Sequence, residues 1–252
     1  MSVKIVAHRG ESLIAPENTI ESFTLAWTRG AVCVEGDFYL GKDGEVICMH
    51  DENCLRTCGV NRPIPELTLA EIRGFDAGLC KGEPWRYTRV PTLREVLDTV
   101  PENGEIFIEL KSVGPIVDAI RKIFASVSLR PDQLTFIGFD EATISEVKKD
   151  FPDHKAYWLT CNWTGTWEHH GSAKYSPDEL VAKLRELGVD GVDIQATELL
   201  TRPYGDALRA AGLVFNVWTV DTAEEAKRMV EIGVDSITTN RAKFIAAELG
   251  LM

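Results

Sequence analysis

The chain has 252 residues, of which 44% are hydrophobic and 26% are charged, and its formal net charge at pH 7 is −12. This length fits one (β/α)8 barrel, and the composition is typical of a globular protein rather than a disordered or membrane chain. The acidic balance argues against a nucleic-acid partner, because binding a phosphate backbone requires clustered Lys and Arg.

Apolar stretches and cysteines in the sequence bear on the location of the protein and on the state of its thiols. No apolar stretch reaches the length of a signal peptide core or of a membrane-spanning helix, so we expect a cytoplasmic protein without a membrane anchor. Six cysteines occur without a CxxC pair, and we expect free thiols. Cys54 and Cys58 suggest a pair of metal ligands, but no third or fourth ligand follows at zinc-finger spacing.

Short β-branched segments alternate with amphipathic segments along the whole chain. The predicted strands span residues 4–8, 32–39, 105–111, 134–139, 155–160, 191–194, 213–219 and 236–239. The predicted helices span residues 19–29, 116–125, 141–149, 177–187, 204–211, 223–232 and 241–249. This alternation predicts a parallel sheet closed into a single (β/α)8 TIM-type barrel domain over residues 1–252, with an open doubly wound sheet as the alternative.

Two features interrupt the alternation after the second strand. Asp43-Gly44 predicts a hairpin turn, with a short strand over residues 46–49 returning beside strand two. Residues 51–91 then contain one predicted helical stretch, Leu69–Ile72, among several prolines and glycines. We interpret this segment as an insertion on the barrel rim, since long loops of this kind are often lids.

Acidic residues lie at the ends of the second and third predicted strands. Because side chains alternate along a strand, Glu35 and Asp37 share the barrel interior, and Glu109 and Lys111 point into the same cavity. Carboxylates packed together are costly unless one takes up a proton or a cation binds them. Oxygen ligands of this kind suit Mg²⁺ or Ca²⁺. The alternative is a structural layer of salt bridges with Arg9 and Lys111.

Two histidines come from neighbouring elements at the same rim. His8 ends the first strand and His50 follows the hairpin strand. A histidine pair beside carboxylates suits general acid–base catalysis, because the unperturbed pKa lies near neutrality. Either histidine can instead be a buried structural residue or a metal ligand. His154, His169 and His170 lack such a setting and are interpreted as surface or loop residues.

The segment Pro16-Glu17-Asn18-Thr19 opens the first predicted helix. Asn18 or Thr19 can cap that helix, and proline suits a helix start. Capping alone is a sufficient explanation of the segment. The more specific hypothesis is that the start of this helix packs beneath the cavity of the carboxylates.

Taken in chain order, the histidines, the acids and the segment Pro16-Glu17-Asn18-Thr19 resemble the motifs of the glycerophosphodiester phosphodiesterase family. The resemblance is densest in the first 111 residues, and it is specific because it depends on an ordered combination of short motifs. The residues that carry it are His8-Arg9-Gly10, Pro16-Glu17-Asn18-Thr19, Glu35-x-Asp37, Asp43-Gly44, His50-Asp51, Glu109-Leu110-Lys111 and Trp218-Thr219-Val220.

The resemblance implies a (β/α)8 barrel with an insertion after strand two. It also implies one divalent cation, Mg²⁺ or Ca²⁺, held by Glu35, Asp37 and Glu109. His8 and His50 are then the acid–base pair. The implied substrates are small glycerophosphodiesters such as glycerophosphocholine and glycerophosphoethanolamine, which yield sn-glycerol 3-phosphate and an alcohol.

The resemblance also assigns residues to substrate binding. Arg9 and Lys111 are expected near the phosphate. Trp218 is expected either to cover the glycerol or to be an ordinary core aromatic residue. The loop after the fifth predicted strand holds Trp163, Trp167 and Tyr175 (residue types that can shape a pocket for the alcohol or fold over the rim).

One position departs from the family pattern. The chain reads Thr239-Asn240-Arg241-Ala242 where such proteins usually carry Thr-Asp-x-Pro after the last strand. Asn caps a helix about as well as Asp, so we expect the fold to be unaffected. Any electrostatic role of that acid is left open by the sequence.

Three alternative functions remain at this point. A lipid-headgroup phosphodiesterase similar to spider-venom sphingomyelinase D has comparable histidines and carboxylates, but those proteins are secreted and disulfide-stabilised. A metal-dependent aldolase or isomerase uses the cation and Lys111, yet gives Arg9 and His50 no task. A binding protein without catalysis has no need of both histidines and all three acids. The sequence does not define the oligomeric state.

Overall fold

The structure, a computed structural model, describes residues 3–166 and 171–251. Strands and helices alternate through most of this part of the chain. The strands described are β1 (Lys4–His8), β2 (Cys33–Leu40), β3 (Val46–Cys48), β4 (Glu105–Leu110), β5 (Leu134–Gly138), β6 (Lys155–Thr160), β7 (Gly191–Gln195), β8 (Val214–Trp218) and β9 (Ser236–Thr239).

Eight of these strands form a closed parallel barrel. The order is β1-β9-β8-β7-β6-β5-β4-β2, and β1 also pairs with β2, which closes the circle. The predicted (β/α)8 fold is therefore confirmed, and the open-sheet alternative is wrong. β3 stands outside the barrel and pairs antiparallel with the end of β2, as the Asp43-Gly44 turn predicted.

Helices cover the outside of the barrel. They are α1 (Ile20–Thr28), α2 (Leu55–Cys58), α3 (Leu69–Ile72), α4 (Leu93–Leu97), α5 (Ile116–Phe124), α6 (Glu141–Asp150), α7 (Pro177–Leu187), α8 (Arg202–Ala210), α9 (Ala223–Ile232) and α10 (Ala242–Glu248). Short 3-10 turns occur at Ile64–Glu66, Leu79–Lys81, Glu83–Trp85 and Pro131–Gln133. In the described part of the chain, no helix is long and apolar enough to cross a membrane.

Local sequence signals set the ends of these helices. At α7, Ser176 and Glu179 form a capping box, in which each side chain binds the other residue's backbone N–H. The same helix ends at Gly188, whose φ of 70° is a left-handed conformation that favours glycine. Because α7 ends at this glycine, β7 begins three residues later, and the C-terminal residues of β7 reach the rim of the barrel.

The barrel has two hydrophobic layers, one between its strands and the surrounding helices and one in its interior. Outward residues of the strands, such as Val34, Ile106 and Phe136, pack against the helices in one large core. Inward residues, most of them on β4–β6 and the others on β1 and β2, form a second cluster in the barrel interior. Its buried members are Val6, Cys33, Phe107, Ile137, Tyr157 and Leu159. Because these side chains fill the interior below the rim, the open space is left at the C-terminal ends of the strands.

The insertion over residues 51–91 carries a small core of its own. This core packs on the β3 side of the rim and includes Ile47 and Met49 beside buried residues of the insertion. The prediction of a single helical stretch there was incomplete, because Leu55–Cys58 also forms a helical turn. Four residues are too few to show a helical period in sequence. The insertion is thus packed structure beside His50.

The six cysteines are free thiols. Cys54 and Cys58 are buried and lie one helical turn apart, with the Cys58 amide donating to the Cys54 carbonyl at 2.9 Å. Among the residues described, potential metal ligands converge in groups of three only at the carboxylates of Glu35, Asp37 and Glu109. The zinc interpretation of the two cysteines therefore gains no third ligand.

Candidate active site

A cavity of about 250 Å³ opens at the C-terminal ends of the barrel strands. The predicted site residues meet there, except that Asp37 lies fully buried behind the cavity wall. The lining residues are His8, Arg9, Glu35, His50, Glu109, Lys111, Ile137, Phe139, Leu159, Asp193, Trp218, Thr219 and Thr238. A larger groove of about 560 Å³ beside α1 and α10 contains none of the predicted site residues.

Three buried carboxylates form one wall of the cavity. Glu35, Asp37 and Glu109 each place an oxygen within 4.8 Å of the others, and Asp37 faces Glu109 in the β2–β4 register. Burial, reinforced by the neighbouring acid Asp37, raises the pKa of Glu35 well above its usual range and that of Glu109 to about 8. For Asp37, burial opposes ionisation, but Lys111 and Arg9 overcome it and hold the pKa below its usual value.

Two cations lie among the three acids. The Arg9 Nε is 3.2 Å from Asp37, and the Lys111 Nζ is 3.2 Å from Asp37 and 2.6 Å from Glu109. The structural salt-bridge interpretation therefore accounts for Asp37 and Glu109. It does not account for Glu35, whose Oε2 accepts the Arg9 amide at 3.0 Å while its buried Oε1 has no hydrogen-bond partner. A divalent cation fits this arrangement, because it supplies the missing charge and coordinates oxygen.

The start of α1 supports Asp37 from below. The Asn18 Nδ2 donates to Asp37 Oδ2 at 2.7 Å, and Asn18 Oδ1 accepts the Asp37 amide at 3.2 Å. Thr19, the other predicted capping residue, caps α1 by accepting the Ser22 amide. The hypothesis that this segment packs beneath the site is confirmed. Gly10 permits the approach, since its φ is 78° and a Cβ there would lie 2.5 Å from Ser22 Oγ.

His8 is oriented by a chain of hydrogen bonds through Asn240 to Asp221. The His8 Nδ1 lies 2.7 Å from Asn240 Oδ1, and Asn240 Nδ2 donates to Asp221 Oδ2 at 2.7 Å. Because a carboxylate only accepts, the amide nitrogen of Asn240 must face Asp221, and its oxygen must face His8. Nδ1 of His8 therefore carries the proton. Nε2, 3.9 Å from Glu35 Oε2, keeps its lone pair on the cavity side.

Asn240 is not the helix cap that its position suggested. α10 begins after Arg241, which provides no side-chain cap. Asn240 instead binds His8 and Asp221, and its backbone amide also donates to Asp221 at 2.8 Å. Asp221 was not predicted as a site residue. The signal for it was its position directly after Trp218-Thr219-Val220.

His50 is braced by ion pairs that reach into the insertion. Its Nδ1 lies 2.6 Å from Asp51 Oδ1, and Arg56 of α2 lies 2.6 Å from Asp51. Arg56 also pairs with Glu17 at 2.7 Å, and Glu17 pairs with Arg9 at 2.9 Å. These bonds leave Nε2 of His50 toward the cavity. Burial lowers the pKa of His50, and burial lowers that of His8 to about 4.

Aromatic residues line the far side of the cavity. The Trp218 ring meets Phe139 edge-on at 5.7 Å, and Trp218 Nε1 donates to the Asp193 carbonyl at 3.1 Å. Trp218 is partly exposed at the cavity, as a substrate-covering role requires. Trp163 and Tyr175 are not among the lining residues: Trp163 donates to Gln195 at 2.6 Å instead.

The remaining histidines lie away from this cavity. His154 sits in a turn, but its ring packs against three phenylalanines at 5.4–5.9 Å and is half-buried rather than free on the surface. Its neighbours are Phe124, Phe136 and Phe151. Trp167, His169 and His170 lie outside the described residues.

The sequence profile described as the Glycerophosphoryl diester phosphodiesterase family matches residues 8–243. The chain belongs to the glycerophosphodiester phosphodiesterase family. It is 30% identical over 248 residues to a glycerophosphodiester phosphodiesterase of Caldanaerobacter subterraneus subsp. tengcongensis, covering 95% of each chain. A Bacillus subtilis protein of the same name is 29% identical over 255 residues, covering 93% of this chain and 82% of that one.

Solved structures of glycerophosphodiester phosphodiesterases share this fold. An Oleispira antarctica phosphodiesterase in complex with the product sn-glycerol-3-phosphate superposes with a TM-score of 0.85 at 24% identity, covering 98% of this chain and 96% of that one. A Thermotoga maritima glycerophosphodiester phosphodiesterase gives a TM-score of 0.77 at 25% identity, covering 98% of each. The resemblance and the assignment as an enzyme of phosphodiester hydrolysis are thus confirmed.

Proposed function

We propose that this chain, acting as a single catalytic domain in the cytoplasm, uses a divalent cation to hydrolyse small glycerophosphodiesters. Glycerophosphocholine and glycerophosphoethanolamine are the expected substrates, and sn-glycerol 3-phosphate and the free alcohol are the products. The observation that carries the proposal is the buried Glu35, whose Oε1 has no hydrogen-bond partner among the described residues and whose Oε2 lies 3.9 Å from His8 Nε2. The product complex of the Oleispira antarctica protein, which shares the fold, supports the substrate class.

The cation belongs at the carboxylate cluster. Glu35, Asp37 and Glu109 would hold Mg²⁺ or Ca²⁺, because all their donors are oxygen and their charge exceeds that of Arg9 and Lys111 by one. When bound, the cation withdraws negative charge from the phosphoryl oxygens and so favours attack at phosphorus. Arg9 and Lys111 line the same wall and add positive charge beside the phosphate.

The two histidines differ in the partner of their Nδ1 atoms. His8 faces a neutral amide, Asn240, so its imidazole is held neutral with Nε2 ready to accept a proton. We assign His8 as the base that deprotonates the attacking hydroxyl. This is either water, which gives sn-glycerol 3-phosphate directly, or the substrate's own glycerol hydroxyl, which gives a cyclic phosphate that water then opens to the same product. His50 faces the carboxylate of Asp51, which stabilises the protonated ring against the lowering of its pKa by burial, and we assign it as the acid that protonates the leaving alkoxide.

Trp218 completes the substrate site. Its ring forms the apolar wall opposite the carboxylates, and its Nε1 is held by the Asp193 carbonyl, so the ring cannot swing away without losing that bond. A flat aromatic surface suits the carbon face of a glycerol unit. We therefore assign Trp218 to covering the glycerol moiety while the phosphate lies at Arg9 and Lys111.

The test is the release of sn-glycerol 3-phosphate from glycerophosphocholine. The purified protein is assayed with Mg²⁺, with Ca²⁺, with excess EDTA, and after adding each ion back. We expect release that EDTA abolishes and one of the ions restores. Release that persists in EDTA would contradict the metal dependence. Turnover of sphingomyelin in detergent without turnover of glycerophosphodiesters would contradict the substrate class.

A further inference from the structure

The barrel interior is polar on the β7–β9 side. Four inward side chains there are at most 2% exposed, and each has a polar atom without a hydrogen-bond partner in the part of the chain that the structure describes. The four atoms are Asp193 Oδ1, Asn216 Nδ2, Ser236 Oγ and Thr238 Oγ1. Asp193 and Thr238 also line the catalytic cavity. We call these four residues the polar floor.

Nothing in the mechanism above uses the polar floor. Opposite it, β4–β6 fill the interior with Phe107, Ile137, Tyr157 and Leu159. An apolar filling therefore suits this barrel, whereas each unsatisfied buried polar group costs about 1–3 kcal/mol. Native proteins rarely leave such groups unpaired, so the polar floor calls for a ligand or for ordered water.

The chemistry of the polar floor defines what it can bind. Asp193 on β7 and Asn216 on β8 are register partners, so their inward side chains are neighbours. Asp193 Oδ1 is an unused acceptor and Asn216 Nδ2 an unused donor. A hydroxyl group satisfies both at once, because it donates to the carboxyl oxygen and accepts from the amide. A quaternary ammonium group can do neither.

The surroundings of Asp193 favour a neutral ligand. Burial raises the pKa of Asp193 to about 8, and none of the described cations opposes that rise. Burial therefore favours the neutral carboxyl group, whose carbonyl oxygen still accepts a hydrogen bond. The cationic side chains of the cavity, Arg9 and Lys111, pair with Asp37 on the other wall.

We propose that Asp193 and Asn216 bind the terminal hydroxyl group of the substrate's glycerol portion and so select glycerol phosphates over analogues that lack this hydroxyl. This inference rests on the proposed function in taking a polyol phosphodiester as the substrate. Asp193 is then a specificity-determining residue of the cavity. Thr238 and Ser236 complete the same polar floor, with hydroxyl groups that can join the bound polyol by direct or water-mediated hydrogen bonds.

The test compares two ligands by isothermal titration calorimetry in the presence of Mg²⁺. They are sn-glycerol 3-phosphate and propane-1,2-diol 1-phosphate of the same configuration, which lacks only the terminal hydroxyl. The wild-type protein should bind the glycerol compound about tenfold or more tightly, since sites that hydrogen-bond a hydroxyl discriminate strongly against its absence. Asp193→Leu and Asn216→Leu should both reduce that ratio to near one.

Two further variants separate recognition from folding. Asp193→Asn keeps an acceptor oxygen and should keep most of the discrimination. Glu11→Gln removes the charge of another buried acid, 4% exposed and paired with Arg29 in the separate groove beside α1 and α10, and should leave the ratio unchanged. Thermal unfolding of every variant shows which of them remain folded at the binding temperature.

The outcomes separate this inference from the proposed function. Equal binding of the two ligands by the wild-type protein, or full discrimination retained by folded Asp193→Leu, overturns the role of the polar floor, which then holds only water. If the leucine variants lose discrimination and the wild-type protein turns over no glycerophosphodiester, the polar floor is supported and the proposed reaction is contradicted. Turnover of glycerophosphocholine with equal binding supports the reaction and overturns the polar floor.

Discussion

The two sides of the cavity differ in the forces that organise them. On the side of β1, β2 and β4, three buried acids place oxygens within 4.8 Å of one another, and Arg9 and Lys111 form ion pairs with two of them, Asp37 and Glu109. On the side of β7–β9, neutral or neutralised groups are buried with unused hydrogen-bonding capacity. The first side is governed by charge and suits a cation and a phosphate. The second is governed by hydrogen-bond complementarity and suits a hydroxyl group.

His8 lies where the two sides join. Its strand pairs with β2, which carries Glu35, and with β9, which leads to Asn240. Barrel closure therefore brings a residue from each end of the chain onto one imidazole ring. The difference between the sides implies that substitutions on the charged side abolish catalysis, whereas substitutions on the neutral side change orientation and selectivity.

Removing either histidine should have the largest effect. His8→Ala and His50→Ala should each lower kcat for glycerophosphocholine by roughly 10²–10⁴-fold, the usual contribution of a general acid or base. His154→Ala is the matched control, because its ring packs among phenylalanines away from the cavity. Steady-state rates with saturating metal measure the effect. Unchanged turnover in His8→Ala would contradict the assignment of catalysis to the charged side of the cavity.

The next effect concerns Glu35. Glu35→Gln removes the acid with the unpartnered oxygen, and we expect the Mg²⁺ concentration for half-maximal activity to rise by about a hundredfold, the upper end of what outer-sphere partners contribute. The metal-free variant should be more stable in urea than the metal-free wild type, because an unpaired buried acid is gone. Glu105→Gln is the control, because Glu105 lies at the N-terminal end of β4, opposite the end that carries Glu109, and pairs with Lys4. Loss of stability with unchanged metal requirement would favour a purely structural role.

A smaller effect on kcat is expected at Asn240, which binds His8 where the two sides of the cavity join. Asn240→Leu should lower kcat by about 10–100-fold, the range typical of residues that orient a functional side chain, with KM little changed. Asn240→Asp still accepts the hydrogen bond from His8 Nδ1, but its carboxylate raises the pKa of His8, so the acid limb of the kcat–pH profile should move to higher pH. Asp221→Asn tests the orientation of the amide, since it removes the carboxylate that fixes it. A rise in KM at constant kcat in Asn240→Leu would assign Asn240 to substrate binding instead.

The two sides also differ in how far the sequence predicts them. Glu35, Asp37 and Glu109 stand out because acids on the inward face of buried strands have no ordinary structural explanation, and the period of the strand gives their direction. Asp193 and Asn216 do not stand out, since each is a single polar residue in the middle of its own strand and neither belongs to a cluster of acids in the sequence. The bond between Asn240 and His8 joins residues 232 positions apart, and only closure of the barrel brings them together.

The smallest effect is a change of stability with pH on the neutral side. The pKa of Asp193 is raised by burial to about 8 in the folded protein from 3.8. Between these values the unfolded chain binds fewer protons than the folded protein, so this group makes the free energy of unfolding fall as pH rises, by at most about 1.4 kcal/mol per pH unit. Asp193→Asn abolishes that contribution.

Urea unfolding of both proteins at about pH 5 and about pH 7 measures this contribution of Asp193. The stability of Asp193→Asn relative to the wild type should improve by about 1 kcal/mol or more at the higher pH. Taking the difference between the two proteins cancels the titration of Glu35 and Glu109, which both contain. A difference that stays constant with pH would mean that Asp193 is ionised in the folded protein. In that case a charged partner, rather than a hydroxyl group, would be the ligand of this side of the cavity.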